Sequence, residues 1–446
     1  MKNYLHIVLV LAVIALSAII KGDGWKNYKS EPFQFRQDVD QYYSYLPAAF
    51  IHKDLSFEYT ERYWLIENRH GKLLPKVTMG MSYMYAPFFL LGHAVALNTD
   101  FPADGYSLPY SIAVWYGTVT YMLIAMFFLI KALDLFFKKW ISAVVALMLF
   151  FGTNLLHYTF TEGEMPHSYL FTIFSIVIYY TIKWHQQPRN QYLYILAFFF
   201  GIAVIIRQIE VLLLLFFVLY NVYDKKSLMN KARLISANFK AILIAGLFFL
   251  IPIIPQLVYW KVFGDEWLVY SYGDEGFYFS DPKIIDFLFS YRKGWFIYSP
   301  LMLFAIGGFF LLKNRLKALS IAIPVLTVVI IYILSSWWCW WYGGGFGMRA
   351  MVQYYAFLAF PLAAVIAFMT KRRWSAILLA PMIAFSVYYG YFYNYKYRTW
   401  TLHWDSLSKE AYWHTFMKKR FTEEEYVEFE EKLEAPDYKA ARKGDR

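Results

Sequence analysis

Long apolar runs alternate with short polar segments along most of the chain. Eleven such runs stand out: Tyr4–Ile20, Ile112–Ile130, Ile141–Leu156, Ser168–Ile182, Tyr192–Ile206, Ile209–Val222, Ala241–Trp260, Trp295–Leu312, Ala318–Leu334, Met351–Met369 and Ala376–Tyr393. Most approach the roughly 20 residues that cross about 30 Å of hydrocarbon at 1.5 Å per residue. The pattern predicts an all-α polytopic integral membrane protein with about eleven transmembrane helices. A further stretch, Met81–Leu97, is apolar enough to span, but counting it would reverse the charge pattern of every later loop, so it is expected to lie on or dip into the outer leaflet. Asp40–His52 mixes aromatic, apolar and polar positions as an interfacial helix does.

The polar segments give the orientation. With Lys2 inside, every second loop is basic: Lys138/Lys139, Lys183 to Arg189, Lys225 to Lys240, Lys313/Arg315/Lys317 and Lys371/Arg372/Arg373. Five short loops agree with the positive-inside rule. The non-cytoplasmic segments are then 21–110, 159–167, the turn at Arg207, 261–294, 335–350 and the end of the chain. The first, about ninety residues, is too long for a mere connector. The domain plan is a membrane-embedded catalytic unit, 1–394, and a charged tail, 395–446, read as a solvated helical appendage on the non-cytoplasmic side without a core of its own. The opening residues resemble a signal peptide, with Ala15 to Ala18 as a cleavage region, but an uncleaved first helix is the preferred reading.

Composition agrees. With 59% hydrophobic and 17% charged residues, there is too little polar surface to wrap a soluble globule. The net charge of +11 punctuates the apolar runs instead of lining one face, which excludes a nucleic-acid partner. Aromatic residues make up 22% of the chain, mostly as the interfacial belt of a polytopic protein. A single cysteine, Cys339, excludes an intrachain disulfide.

Unusual chemistry gathers on the outer side. Asp38 and Asp40 sit in the first loop beside Tyr42 and Tyr43; a carboxylate there is either a solvated loop acid or a general base for an acceptor hydroxyl. Lys76, ahead of the interfacial stretch, is either a snorkelling contact or a cation for a lipid-linked phosphate. The second outer loop packs His157, Glu162, Glu164 and His167 into eleven residues, without the spacing of an established metal motif. Arg207 interrupts an apolar hairpin, where its partner is Glu210 or an anionic ligand. Trp337, Trp338, Trp340, Trp341 and Tyr342 precede Gly343–Gly345 and Arg349: aromatic faces for a sugar ring, flexible backbone and a phosphate clamp, or an aromatic belt beside a turn.

In order, these segments resemble the membrane glycosyltransferases of the GT-C superfamily, in the branch of dolichyl-phosphate-mannose-protein mannosyltransferases and lipid A aminoarabinose transferases. The resemblance covers Met1 to about Asn394. It rests on Asp38–Tyr43, Lys76–Pro87, Glu162 with Glu164, Gly201–Arg207, the phrase GWFIYSPLMLF and Trp337–Arg349. It implies a polyprenyl-phosphate sugar donor, an acceptor hydroxyl on protein, lipid or glycan, and inversion at the anomeric carbon. It puts the base on Asp40, with Asp38 second and Glu162 third. Lys76, Arg207 and Arg349 would hold the phosphate, and Tyr42, Tyr43, Glu164, His167, Trp340, Trp341 and Tyr342 the sugars. It departs from the family where Gln41 follows Asp40 in place of a second acid, and where Glu162 and Glu164 stand for Asp. No metal ligand set is expected, and no cofactor is required, with Mg²⁺ as the minority alternative. A bacterial inner membrane, with the site facing the periplasm, is the expected location. The competing classes are a transporter, which would place its charges near the midplane of two related halves, and a transferase of whole lipid-linked oligosaccharides.

Overall fold

The computed structural model describes residues 4–21, 37–60 and 64–446. Lys2 and the start of the first outer loop lie outside the described residues. Every one of the eleven apolar runs is helical, but fewer are single spans than the runs suggest. Among the described residues, four helical segments are long and apolar enough to cross a membrane: Leu108–Leu133, Lys317–Ser336, Arg349–Met369 and Arg373–Arg398. A fifth is reached by counting Lys225–Ala237 with Phe239–Leu250, a pair bent by 75°. The other runs are shorter or interrupted, except that of Pro166–Gln186, which is long enough at 21 residues but less apolar. The run from Trp295 divides into Trp295–Tyr298, Leu301–Gly307 and Phe309–Arg315, with breaks at Ser299–Pro300 and Gly308. Proline lacks the N–H that would continue the helix, and glycine adds backbone freedom.

Arg349–Met369 is the most enclosed of the four: 83% of its apolar stretch is buried, against 33% for Arg373–Arg398. Leu108–Leu133 packs along Pro166–Gln186, and these are flanked by Gly80–Leu97 and Asn190–Ile206. Between helices that face lipid, the hydrophobic effect adds little, so close packing at small residues does the work. Gly390 shows it, since a Cβ there would meet Gly152 Cα at 3.0 Å and also collide with the Phe151 carbonyl.

Ahead of Gly80–Leu97, short helices at Gln37–Tyr43, Tyr45–Pro47 and Ala48–His52 precede an antiparallel pair, Leu65–Glu67 with Leu73–Pro75. Gly80–Leu97 then runs antiparallel to the first half of Leu108–Leu133: the Tyr121 hydroxyl donates to the Met84 carbonyl at 3.0 Å, and Gly92 packs on Tyr110.

The tail differs from the expected appendage. Leu402, Leu407, Ala411, Tyr412 and Phe429 are buried in a core shared with Tyr298, Phe346, Phe392 and Tyr393. The apolar positions hidden among its charges pack back onto the bundle, so the core of the tail is shared with the membrane domain.

Candidate active site

Asp38 and Asp40 both fall in the helix Gln37–Tyr43. At 100° per residue, positions two apart point to nearly opposite sides, while Asp38 and Tyr42, four apart, share a face. Asp40 turns inward, 7% exposed, and accepts the Trp64 indole N–H at 2.8 Å. Asp38, with its side chain 52% exposed, stands 3.7 Å from the Arg349 guanidinium. Tyr42 lies within the fields of Asp38, Arg207, Arg349 and Tyr272; burial, with help from Tyr272 and Asp38, pushes its hydroxyl well above the usual range, so it remains a donor. Tyr43 faces elsewhere. Its hydroxyl donates to the Gly105 carbonyl at 2.6 Å and its ring packs on Tyr85, Phe89 and Tyr106.

Arg207 ends the helix Asn190–Ile206 with extended backbone, before a 3-10 turn, Gln208–Leu212. Thr78 and Gly80 fix that end, through the Thr78 hydroxyl on the Ile205 carbonyl and the close approach of Gly80 to Ile205 and Ile206. Glu210 is fully buried beside Arg207 and accepts from Gln353 Nε2 at 3.1 Å and the Tyr354 hydroxyl at 2.6 Å. Both donors belong to the 3-10 helix Arg349–Tyr354. Glu210 therefore ties the two arginine-bearing elements together, and the charges of Arg207 and Arg349 act jointly on His167, Tyr42 and Tyr342. His167 Nδ1 lies 3.2 Å from Gln353 Oε1.

The Arg349 loop is shaped by left-handed backbone at Tyr342, Gly343, Gly345 and Gly347. At Gly345, φ +145°, a Cβ would stand 2.8 Å from the Tyr158 hydroxyl and 3.3 Å from Arg349 Cδ, so only glycine fits. Three groups pin the loop: the Phe346 N–H donates to the Tyr158 hydroxyl at 2.9 Å, Asn154 Nδ2 donates to the Phe346 carbonyl at 3.1 Å, and Lys293 Nζ donates to the carbonyls of Gly345 and Trp404. Burial lowers Lys293 to about 7, against the pull of Asp405. Trp340 and Trp341 pack edge to face at 5.6 Å, and Trp341 meets Tyr438 of the tail. Tyr342 reaches the Leu334 carbonyl at 3.1 Å.

Lys76 lies on the same side, 5.1 Å from the centre of the Tyr272 ring, whose hydroxyl is in the fields of Arg207 and Asp38. It is held by Glu275 at 2.7 Å. Glu162, 8% exposed, accepts from the Tyr397 hydroxyl at 3.3 Å, stands 3.6 Å from His157 Nε2, and its charge reaches Arg349. Glu164 contributes its backbone carbonyl to the Tyr85 hydroxyl. The fold thus brings together Asp38, Tyr42, Lys76, Arg207, Tyr342, Arg349, His167 and Glu162. It turns Asp40, Tyr43 and Trp341 toward packing partners. Sequence reasoning missed Trp64, Tyr272, Glu275 and Lys293. Arg292-Lys293 did carry a signal, since a basic pair in an outer loop runs against the charge rule that orients the rest.

No protein-family model and no curated protein matches the chain. Among solved structures, it is similar to the apo oligosaccharyltransferase of Archaeoglobus fulgidus, with a TM-score of 0.52 and 13% identity, covering 98% of this chain and 61% of that one. The chain spans about three fifths of the length of that protein, 61%. At 13% identity the likeness is one of fold: a mostly helical, polytopic membrane protein.

Proposed function

We propose that the chain is an inverting membrane glycosyltransferase that moves a single hexosyl or pentosyl unit from a polyprenyl-phosphate donor to an acceptor hydroxyl on the non-cytoplasmic side. The observation that carries this reading is the convergence of Arg207 and Arg349 on Tyr42 and Tyr342, with the exposed carboxylate of Asp38 3.7 Å from Arg349. Two cations fixed by Glu210 suit a phosphate monoester whose charge grows as it leaves. Lys76, once released by Glu275, adds a third.

In the reaction, the acceptor O–H gives its proton to Asp38 while its oxygen bonds to the anomeric carbon. The bond from that carbon to the phosphate oxygen breaks, its electron pair stays with the phosphate, and polyprenyl phosphate departs toward the arginines. The base role moves from Asp40 to Asp38, because Asp40 is committed to Trp64 while Asp38 is open beside the cations. Asp40 holds the helix that presents it. Tyr42, kept protonated, can donate to a phosphate or sugar oxygen. Fixed guanidinium charges take the place a metal would fill, so turnover should survive a chelator.

The fold neighbour favours a second reading, transfer of a whole lipid-linked oligosaccharide. Supplying purified full-length protein in nanodiscs with a polyprenyl-monophosphate sugar or a polyprenyl-diphosphate oligosaccharide separates the two. Release of polyprenyl monophosphate from the first alone supports the proposal, and turnover of the second alone refutes it.

A further inference from the structure

Lys76 and Arg442 compete for one oxygen. Lys76 Nζ lies 2.7 Å from Glu275 Oε1, and Arg442 Nη2 lies 3.3 Å from the same atom. Glu275 is 8% exposed and sits in the segment that follows Tyr272, with its backbone carbonyl accepting the Tyr270 hydroxyl at 2.5 Å. Arg442 comes from the last helix of the tail, Tyr438–Arg442, where its guanidinium also covers the Trp338 ring at 5.0 Å. Three segments far apart in sequence, the first outer loop, the fourth and the end of the chain, therefore meet at one carboxylate oxygen. Beneath it, Lys76 lies over Tyr272, inside the field of Arg207.

We infer that Glu275 is a built-in stand-in for the donor phosphate, and that Arg442 sets how readily it lets Lys76 go. The inference rests on the reading of this site as a lipid-phosphate site. An arriving phosphate takes Lys76 from Glu275 by exchanging one anion for another. A nearly buried carboxylate left without a partner opposes that exchange. Arg442, already within reach, keeps Glu275 paired after Lys76 swings away, so the tail makes the exchange easier. Until then Lys76 is paired with Glu275 and held within reach of its task instead of wandering to the membrane surface.

The test is binding of undecaprenyl phosphate to the full-length protein in nanodiscs, with thermal melting to confirm that each variant is folded. Glu275→Gln keeps the shape and removes the competing charge, so affinity should rise roughly three- to tenfold. Arg442→Gln leaves Glu275 to Lys76 alone, so affinity should fall by a similar factor. The decisive arm is the double variant: a bare field effect of Arg442 on the phosphate would survive the loss of Glu275, whereas the clasp requires that Arg442→Gln change nothing in the Glu275→Gln background. In a Lys76→Ala background, Glu275→Gln should likewise lose its effect. Weaker or unchanged binding by folded Glu275→Gln, or an Arg442 effect that persists without Glu275, overturns the clasp while leaving the donor site standing. A wild-type protein that does not bind undecaprenyl phosphate overturns both.

Discussion

Lys231 and Arg349 are both basic side chains enclosed by a membrane protein, and the chain treats them in opposite ways. The helix Pro166–Gln186 connects their neighbourhoods: His185 meets Lys231 near one end, and His167 lies in the fields of Arg207 and Arg349 near the other. The 18 intervening steps, 167 to 185, put them roughly 27 Å apart. Lys231 is saturated. Its ammonium donates to the Phe217 carbonyl at 2.6 Å and the Tyr220 carbonyl at 3.3 Å, contacts His185 Nε2 and lies 4.8 Å from the Phe217 ring centre. An ammonium has three protons to donate, and the fold takes them all. Arg349 instead faces a half-exposed carboxylate at 3.7 Å, beyond hydrogen-bonding distance, and shares its surroundings with a second arginine. A charge closed off by its own chain holds a fold together. A charge held open beside a like charge is prepared for an anion.

The largest contrast is expected within one helix, Gln37–Tyr43. Asp38→Asn should lower turnover by roughly 10² to 10⁴, read as polyprenyl phosphate released from a polyprenyl-monophosphate sugar. Asp40→Asn should instead reduce stability by about 1.5–3 kcal/mol through its weakened bond to Trp64, with a much smaller loss of turnover. Reversal of the two phenotypes would return the base role to Asp40.

Next in size are the cations themselves. Arg207→Ala and Arg349→Ala should each lower kcat/KM by roughly 10²-fold or more. Lys231→Met should cost stability, about 1–3 kcal/mol by thermal melting, and leave the kinetics of the surviving folded protein near normal. A folded Lys231→Met protein as impaired as the arginine variants would erase the distinction between closed and open charge.

Gly345→Ala tests the loop that aims Arg349. Its φ of +145° and the 2.8 Å approach of the added carbon to the Tyr158 hydroxyl predict a loss of about 1–3 kcal/mol and a several-fold fall in turnover, measured together. Turnover unchanged at full stability would show that the loop geometry does not position the guanidinium.

The smallest effect near neutral pH comes from Lys293. Burial depresses it from 10.5 to about 7, with Asp405 and Glu162 opposing and Arg349 and Arg292 assisting. Between those values the unfolded chain keeps a proton that the folded chain has shed, so the stability contributed by this group rises with pH across that window and is level below it. Melting of Lys293→Met should lack that rise, and an unaltered profile would remove Lys293 from the account.

The helices were legible in the chain because an apolar run has only one way to satisfy its backbone in lipid. Their interruptions were less so: Pro252 and Pro300 announce breaks, but nothing local says whether tertiary packing turns a break into a bend. The basic loops and outer acids drew attention to Arg207, Arg349 and Asp38. The choice between Asp38 and Asp40 was within reach, since helical periodicity puts Asp38 with Tyr42, but the deciding partner, Trp64, lies 24 residues away and becomes visible only in the fold. Glu275, Lys293 and the tail escaped for the same reason. Their roles come from partners at 76, 345, 404 and 442, and charged residues in a loop look alike until the chain closes around some of them.

A cryo-EM structure of the full-length protein in nanodiscs with undecaprenyl phosphate would locate the phosphate directly. The phosphate is expected between the guanidinium groups of Arg207 and Arg349, with Asp38 on the open side and the polyprenyl chain leading into lipid. A phosphate bound elsewhere, with both arginines drawn onto Glu210 and Asp38, would contradict this placement.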